Sequence, residues 1–215
     1  VKEIETSEGT FFARTVVIAT GAGPRELGIE REEEFVSRGV HYCAHCDGRF
    51  YKNKVVAVVG GGNSAAADAL YLSNLAKKVY VVHRRDSLRA TKIYHEPLMN
   101  ADNVEFVWDS TVTDFVADGN LSGVKIKNKL NGNETEIACD GVFVSIGRKP
   151  ATEFLKGTVA LDPNGYIVAD ETTKTNISGV FAVGDVRTKP VRQIVTATAD
   201  GATASHFAEE YLANI

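Results

Sequence analysis

Residues Lys54 to Ala90 read KVVAVVGGGNSAAADALYLSNLAKKVYVVHRRDSLRA. A β-branched run, Val55 to Val59, meets three consecutive glycines, Gly60 to Gly62. An alanine-rich helical stretch follows, and a second apolar run, Val79 to Val82, closes the segment. Strand, glycine turn, helix, strand is a βαβ unit. Gly60-Gly61-Gly62-Asn63-Ser64-Ala65 fits G-x-G-x-x-A where that pattern has meaning, after a strand and before a helix. The chemistry asks for small residues there. Gly60 makes the turn, Gly62 lets the backbone approach a pyrophosphate, and Ala65 allows the helix to pack closely. The helix start then offers its N–H groups to the anion.

The end of the second strand bears on which nucleotide is read. An acid at this tip would bind the ribose 2′-hydroxyl of NAD. Here the strand ends in His83-Arg84-Arg85, with Arg89 one turn on. Guanidinium groups bind a phosphate through paired, charge-assisted hydrogen bonds. These residues read as a site for the 2′-phosphate of NADPH; the other reading is a basic surface turn. Asp86 would orient its neighbours.

Outward from this module, TVVIATGAG (Thr15 to Gly23) and GVFVSIGRKP (Gly141 to Pro150) echo each other: an apolar strand, a small polar residue, then Gly and Pro. Two such exits flanking a βαβ module are what a domain inserted between two crossing strands would show. From Val104 to Val144 short β-like runs alternate with the turn signals DGN (Asp118 to Asn120) and NGN (Asn131 to Asn133). GPRELGIEREEEF (Gly23 to Phe35) reads as a linker whose acids form a solvated face. GVFAVGDV (Gly179 to Val186) ends a strand in Gly184 and Asp185, which suits a hydroxyl-rich ligand; the other reading is a core strand ending in a turn. The tail from Arg192 to Ile215 reads as an amphipathic helix. The opening residues read as a strand already in mid-domain with no initiating Met, so an N-terminally truncated protein is expected.

HYCAHCDGRF, His41 to Phe50, holds two of the three cysteines. A zinc knuckle needs two further ligands, and neither Cys139 nor His41, His45, His83, His95 and His206 forms a partner set, so no metal is expected. Asp47, His41, His45 and Arg49 make the segment too polar for a buried inert pair. A redox disulfide between Cys43 and Cys46 remains. It sits at what looks like a helix start, which lowers a thiol pKa. Asp47 is placed to pass a proton to a leaving thiolate, the alternative being a solvent-facing acid before Gly48. Hydride does not pass easily from a nicotinamide to a disulfide, so a flavin is expected between them.

The chain has 215 residues, net charge −4, 44% hydrophobic and 24% charged residues. That is the balance of a soluble globular protein of one large domain or two modest ones. Nothing in it favours nucleic acid or an anionic membrane as partner. There is no apolar run of roughly 20 residues, no signal-peptide pattern and no secreted disulfide framework, so a cytoplasmic setting is expected.

CAHCDG, GGGNSAAADALYLSN, HRRDSLRA and GVFAVGDV…RQIVTATADG, in this order and spacing, resemble the low-molecular-weight NADPH-dependent thioredoxin reductases, across essentially the whole chain. The resemblance implies an α/β fold of pyridine nucleotide-disulfide oxidoreductase type: a Rossmann-like three-layer NADPH domain, residues 26–147, inserted in a split FAD-binding domain. Residues 1–25 would be a remnant of that domain and 148–215 its C-terminal part. It further implies a Cys43–Cys46 disulfide, Asp47 as proton donor, and NADPH contacts from Asn63, Ser64, His83, Arg84, Arg85 and Arg89. Gly184 and Asp185 would bind the ribityl–phosphate side of FAD, and Arg192, Gln193 and Ile194 would lie along the isoalloxazine. Electrons would run from NADPH to FAD, to the disulfide, to thioredoxin, in a homodimer. Two departures stand out. The family more often has a small hydroxyl residue at the place of His45, and its first FAD fingerprint, an early GxGxxG, is not in this sequence. Neighbouring readings are an alkyl hydroperoxide reductase flavoprotein core, a ferredoxin-driven relative (which would lack the basic cluster) and a non-catalytic NADPH-binding module.

Overall fold

In the computed structural model, which describes every residue from Val1 to Ile215, the strand Val55–Val59 lies at the centre of a five-stranded sheet. The order is Val40–His41, Gly141–Val144, Val55–Val59, Lys78–Val82, Val104–Val107, and all neighbours run parallel. Both faces of such a sheet are covered, which is why its strands read as unbroken apolar runs. On one face the helix Asn63–Ser73 lays Ala65, Ala66, Ala69 and Leu72 over Val56, Val58, Val79 and Val81. On the other, the antiparallel strands Ser110–Asp118, Asn120–Asn128 and Glu134–Ala138 pack Val112, Phe115, Val124 and Ile126 against Ala57, Val59, Val142 and Val144. Each fully buried valine contributes about 1.5–3 kcal/mol. The DGN and NGN signals fall at the two hairpin turns, with Gly119 at φ 73° and Gly132 at φ 75°.

This three-layer body is one of two compact units, Pro24–Gly147; the other joins Val1–Gly23 with Arg148–Ile215. In the second unit the strand Val16–Ile18 pairs in parallel with Val180–Ala182. Ile18, Val180 and Ala182 share a core with Val159, Ile167 and Val186. The helix Ile194–Ala213 packs Ala204, Phe207 and Tyr211 against Phe181 and Val183.

Two sequence expectations are corrected here. The opening residues are not one strand but an antiparallel hairpin, Lys2–Thr6 with Gly9–Ala13. Thr6 makes the turn: its hydroxyl accepts from Glu8 N–H and donates to the Gly9 carbonyl, a local competition that hydroxyl residues offer to an extended chain. Nor is the acidic run wholly solvated. Glu32 is 4% exposed, and its carboxylate accepts from Leu27 N–H (2.9 Å), Gly28 N–H (2.8 Å) and Tyr42 O–H (2.9 Å). Three hydrogen bonds offset the cost of burying that charge.

Candidate functional site

Gly60 has φ 145° and no room for a side chain: a Cβ would lie 2.5 Å from the Ser145 carbonyl oxygen and 2.8 Å from the Ala65 Cβ. A Cβ on Gly61 would fall 2.3–2.4 Å from the His83 ring. Gly62 is the opposite case, with nothing within 4 Å of that position. The open space belongs to a cleft of about 770 Å³ lined in part by Gly60, Gly62, Asn63, Ser64, His83, Arg84 and Arg89. Ala65 is buried beneath, against the sheet. The loop after the second strand is tied to the turn: Arg89 N–H donates to the Gly61 carbonyl at 2.7 Å, and Thr91 N–H to Asn63 Oδ1 at 2.8 Å. Arg84, Arg85 and Arg89 are all exposed, but only Arg84 and Arg89 line the cleft. His83 is buried under Gly61 and its Nε2 has no hydrogen-bond partner. Burial, then the charges of Arg89, Arg84 and Arg85, hold its pKa below the usual imidazole value, so the ring is neutral at pH 7. An open helix start and two guanidinium groups form a donor set that suits a phosphorylated dinucleotide.

On the same unit, Cys43 and Cys46 are joined as a disulfide, with Cα atoms 5.3 Å apart. Cys43 caps the single turn Ala44–Asp47 and Cys46 lies within it, with Cys46 N–H donating to the Cys43 sulfur at 3.2 Å. Cys46 is exposed and Cys43 half-buried, so the bond is open to an exchange partner. His45 is exposed and leans on Tyr71, ring centres 4.4 Å apart. The Asp47 carboxylate lies 3.0 Å from His41 Nδ1. Cys139 is buried, and burial with the nearby Asp140 pushes its thiol up to about 12, which makes it inert at neutral pH.

In the second unit Gly184 and Asp185 form the short turn Gly184–Val186 at the end of a strand. Asp185 lies 3.5 Å from Arg148 Nη2. Gly184 abuts the first turn of the long helix, where a Cβ would meet Ala197 at 3.4 Å. Gln193 caps that helix with Thr196, and Ile194 and Val195 are 87% and 74% exposed. Arg192 lies over the Tyr166 ring at 4.1 Å, and its Nε is buried without a partner. A carboxylate, an unsatisfied guanidinium nitrogen and an exposed apolar helix start suit a flat ring carrying a hydroxylated chain, and FAD fits that chemistry.

The family model described as pyridine nucleotide-disulphide oxidoreductase matches residues 1–201. The chain is 46% identical over 212 residues to the thioredoxin reductase of Listeria monocytogenes, and 42% over 218 residues to that of Peptoclostridium acidaminophilum. The chain belongs to the thioredoxin reductase family. These matches cover 98% and 99% of it and 66% and 69% of the two relatives. The crystal structure of thioredoxin reductase from Streptococcus pyogenes agrees at a TM-score of 0.88 and 45% identity, over 98% of this chain and 69% of that one.

Three residues of this thioredoxin reductase family member escape the sequence reading. Asp200 is buried in the long helix and accepts from Gly184 N–H (2.8 Å), Arg187 Nε (2.8 Å) and Nη2 (2.7 Å), and Lys189 Nζ (2.7 Å). It fixes the turn that carries Asp185. Burial pushes its pKa up, but these hydrogen bonds outweigh that and hold it well below the carboxylate range. Asp68 stands among the buried Ala65, Ala69 and Leu72 of its helix and accepts the Ser145 hydroxyl at 2.5 Å. Burial, opposed by that bond, raises its pKa. An acid at buried-stripe spacing was the available signal. Tyr51 bonds to His41 Nε2 at 2.7 Å, and no sequence pattern marks it.

Proposed function

We propose that the protein passes electrons from NADPH, through FAD, to the Cys43–Cys46 disulfide and on to thioredoxin or a thioredoxin-like protein. Residues 26–147 form the NADPH-binding domain and hold the dithiol, while 1–25 and 148–215 belong to the FAD-binding domain. The observation that carries the reading is an exposed disulfide on the same unit as an open dinucleotide turn.

In this reading the backbone at Gly60, Gly62, Asn63 and Ser64 holds the pyrophosphate, and Ala65 keeps the helix close enough for that. Arg84 and Arg89 pair with the 2′-phosphate above the neutral His83 ring, and the exposed Arg85 next to them adds positive charge. Gly184 and Asp185 hold the ribityl–phosphate side of the flavin, and Arg192, Gln193 and Ile194 lie along its ring. FAD supplies, when bound, the two-electron step between a hydride donor and a disulfide. After reduction, one cysteine attacks as thiolate on the partner's disulfide and the other resolves the mixed disulfide. Asp47 gives a proton to the sulfur released and takes it back on reoxidation. The protein acts as a homodimer in the cytoplasm; no helix is long and apolar enough to cross a membrane.

The test is NADPH-driven reduction of thioredoxin by the FAD-loaded enzyme. Turnover should be lost in Cys46→Ser, with NADPH oxidation no longer coupled to thiol release. Unchanged turnover in that variant contradicts the reading.

A further inference from the structure

Behind the disulfide, three side chains form a line that the exchange chemistry above does not use in full. Asp47 Oδ2 lies 3.0 Å from His41 Nδ1, and His41 Nε2 lies 2.7 Å from Tyr51 Oη. His41 is 7% exposed, stacked on Phe143 with ring centres 5.3 Å apart and 26° between planes, and edge-on to Tyr51 at 5.2 Å. The strand Val40–His41 delivers it there, paired in register with Phe143. The stacked Phe143 ring and a partner at each ring nitrogen fix the orientation of the imidazole.

The direction of the two hydrogen bonds follows. Burial, then the negative charge of Asp47, pushes the Tyr51 phenol up to about 12, so it keeps its proton at neutral pH. Its O–H donates to Nε2. The proton of a neutral imidazole then sits on Nδ1 and donates to Asp47 Oδ2. The tautomer is set from the far side of the ring, by the Tyr51 phenol.

We propose that His41 is a positioning residue for proton exchange at the dithiol, gripping Asp47 through Oδ2 so that Oδ1 is the oxygen that gives and takes the proton. The inference rests on the reading that Cys43–Cys46 is the redox couple. Reduction to one thiol and one thiolate breaks the S–S bond, takes two electrons delivered through the flavin, and forms one S–H bond. Asp47, whose side chain is 35% exposed, relays that proton from solvent and is left, as it began, a carboxylate held by the His41 N–H. On reoxidation by the partner's disulfide, that proton returns to Asp47 and passes to the partner's leaving thiolate. The histidine ends each cycle as it began.

The test uses the FAD-loaded enzyme. His41→Phe keeps the stacked ring and removes both hydrogen bonds. It should lower kcat for thioredoxin reduction about tenfold, leave KM for thioredoxin within twofold, and leave flavin reduction by NADPH unchanged in stopped flow. His41→Asn restores an N–H at the Nδ1 position and should bring kcat back to within about threefold. In an Asp47→Asn background, His41→Phe should cost little more, because the two act as one unit. Should His41→Phe not fold, Tyr51→Phe keeps the packing and frees the tautomer, and should lower kcat about threefold at unchanged KM. Wild-type kcat in His41→Phe, or a loss that Asn does not restore, overturns the proposal while the redox reading stands. No NADPH-driven thioredoxin reduction by the unsubstituted enzyme overturns both.

Discussion

The glycine turns of the two candidate binding sites are built by opposite means. Gly60–Gly62 is set by volume: a carbonyl and an alanine crowd Gly60, a histidine ring fills the space at Gly61, and only Gly62 faces open space. Gly184–Val186 is set by charge: Asp200 reaches the Gly184 N–H while bound to Arg187 and Lys189. A turn shaped by excluded volume should keep its form across pH. One held by a buried carboxylate loses its anchor when that carboxylate is protonated.

The largest effect is expected at the charged turn. Asp200→Asn leaves Lys189 without its carboxylate partner and Arg187 with only the exposed Glu171, 4.0 Å away. It should destabilise the unit formed by Val1–Gly23 and Arg148–Ile215 by about 3–5 kcal/mol. Hydrogen exchange should show lost protection there and little change in Pro24–Gly147. Equal loss in both units would erase the contrast. Because the folded pKa of Asp200 lies below its unfolded one, its contribution is complete above about pH 4 and fades as pH falls below that value. The Asn variant should lack that acid limb in a denaturation series.

At the other turn, Gly61→Ala forces the His83 ring out of its place and should cost about 2 kcal/mol, read from urea midpoints. A smaller step follows in nucleotide choice. Arg84→Ala with Arg85→Ala should weaken NADPH about tenfold relative to NADH, near 1.4 kcal/mol. Titration showing equal affinities in the unsubstituted protein would remove the 2′-phosphate assignment. Gly62→Ala is the smallest in stability, within about 0.5 kcal/mol, yet it should weaken NADPH by putting a methyl group over the helix start. Tight binding in Gly62→Ala together with an intact fold would mean the pyrophosphate lies elsewhere.

The same contrast explains what the sequence made legible. The strand, glycines and helix of the volume-built turn lie within one stretch from Val55 to Val82 as small, β-branched or helix-forming residues, so that pattern can be read directly, whereas the crowding by His83 and the Ser145 carbonyl cannot. The paired strands, the hairpins at Gly119 and Gly132, and the helix over the valines were legible for the same reason: local periodicity decides them. The charge-built turn joins Gly184 to Asp200 across a helix cap, and nothing in TATADG marks one acid as buried. Glu32 was hidden likewise, since its value depends on the Leu27 and Gly28 amides folding back onto it. The line from Asp47 through His41 to Tyr51 needs a strand, a one-turn helix and a 3₁₀ turn to converge, which no spacing encodes.

Electrons from the nucleotide are expected to reach the Cys43–Cys46 bond. The FAD-loaded protein is treated with NADPH without oxygen, alkylated under native conditions, and mapped by mass. Two new labelled thiols per chain, at Cys43 and Cys46, are predicted, with Cys139 unlabelled and NADH much slower. Reduced flavin with no new thiols at these two cysteines would contradict the account.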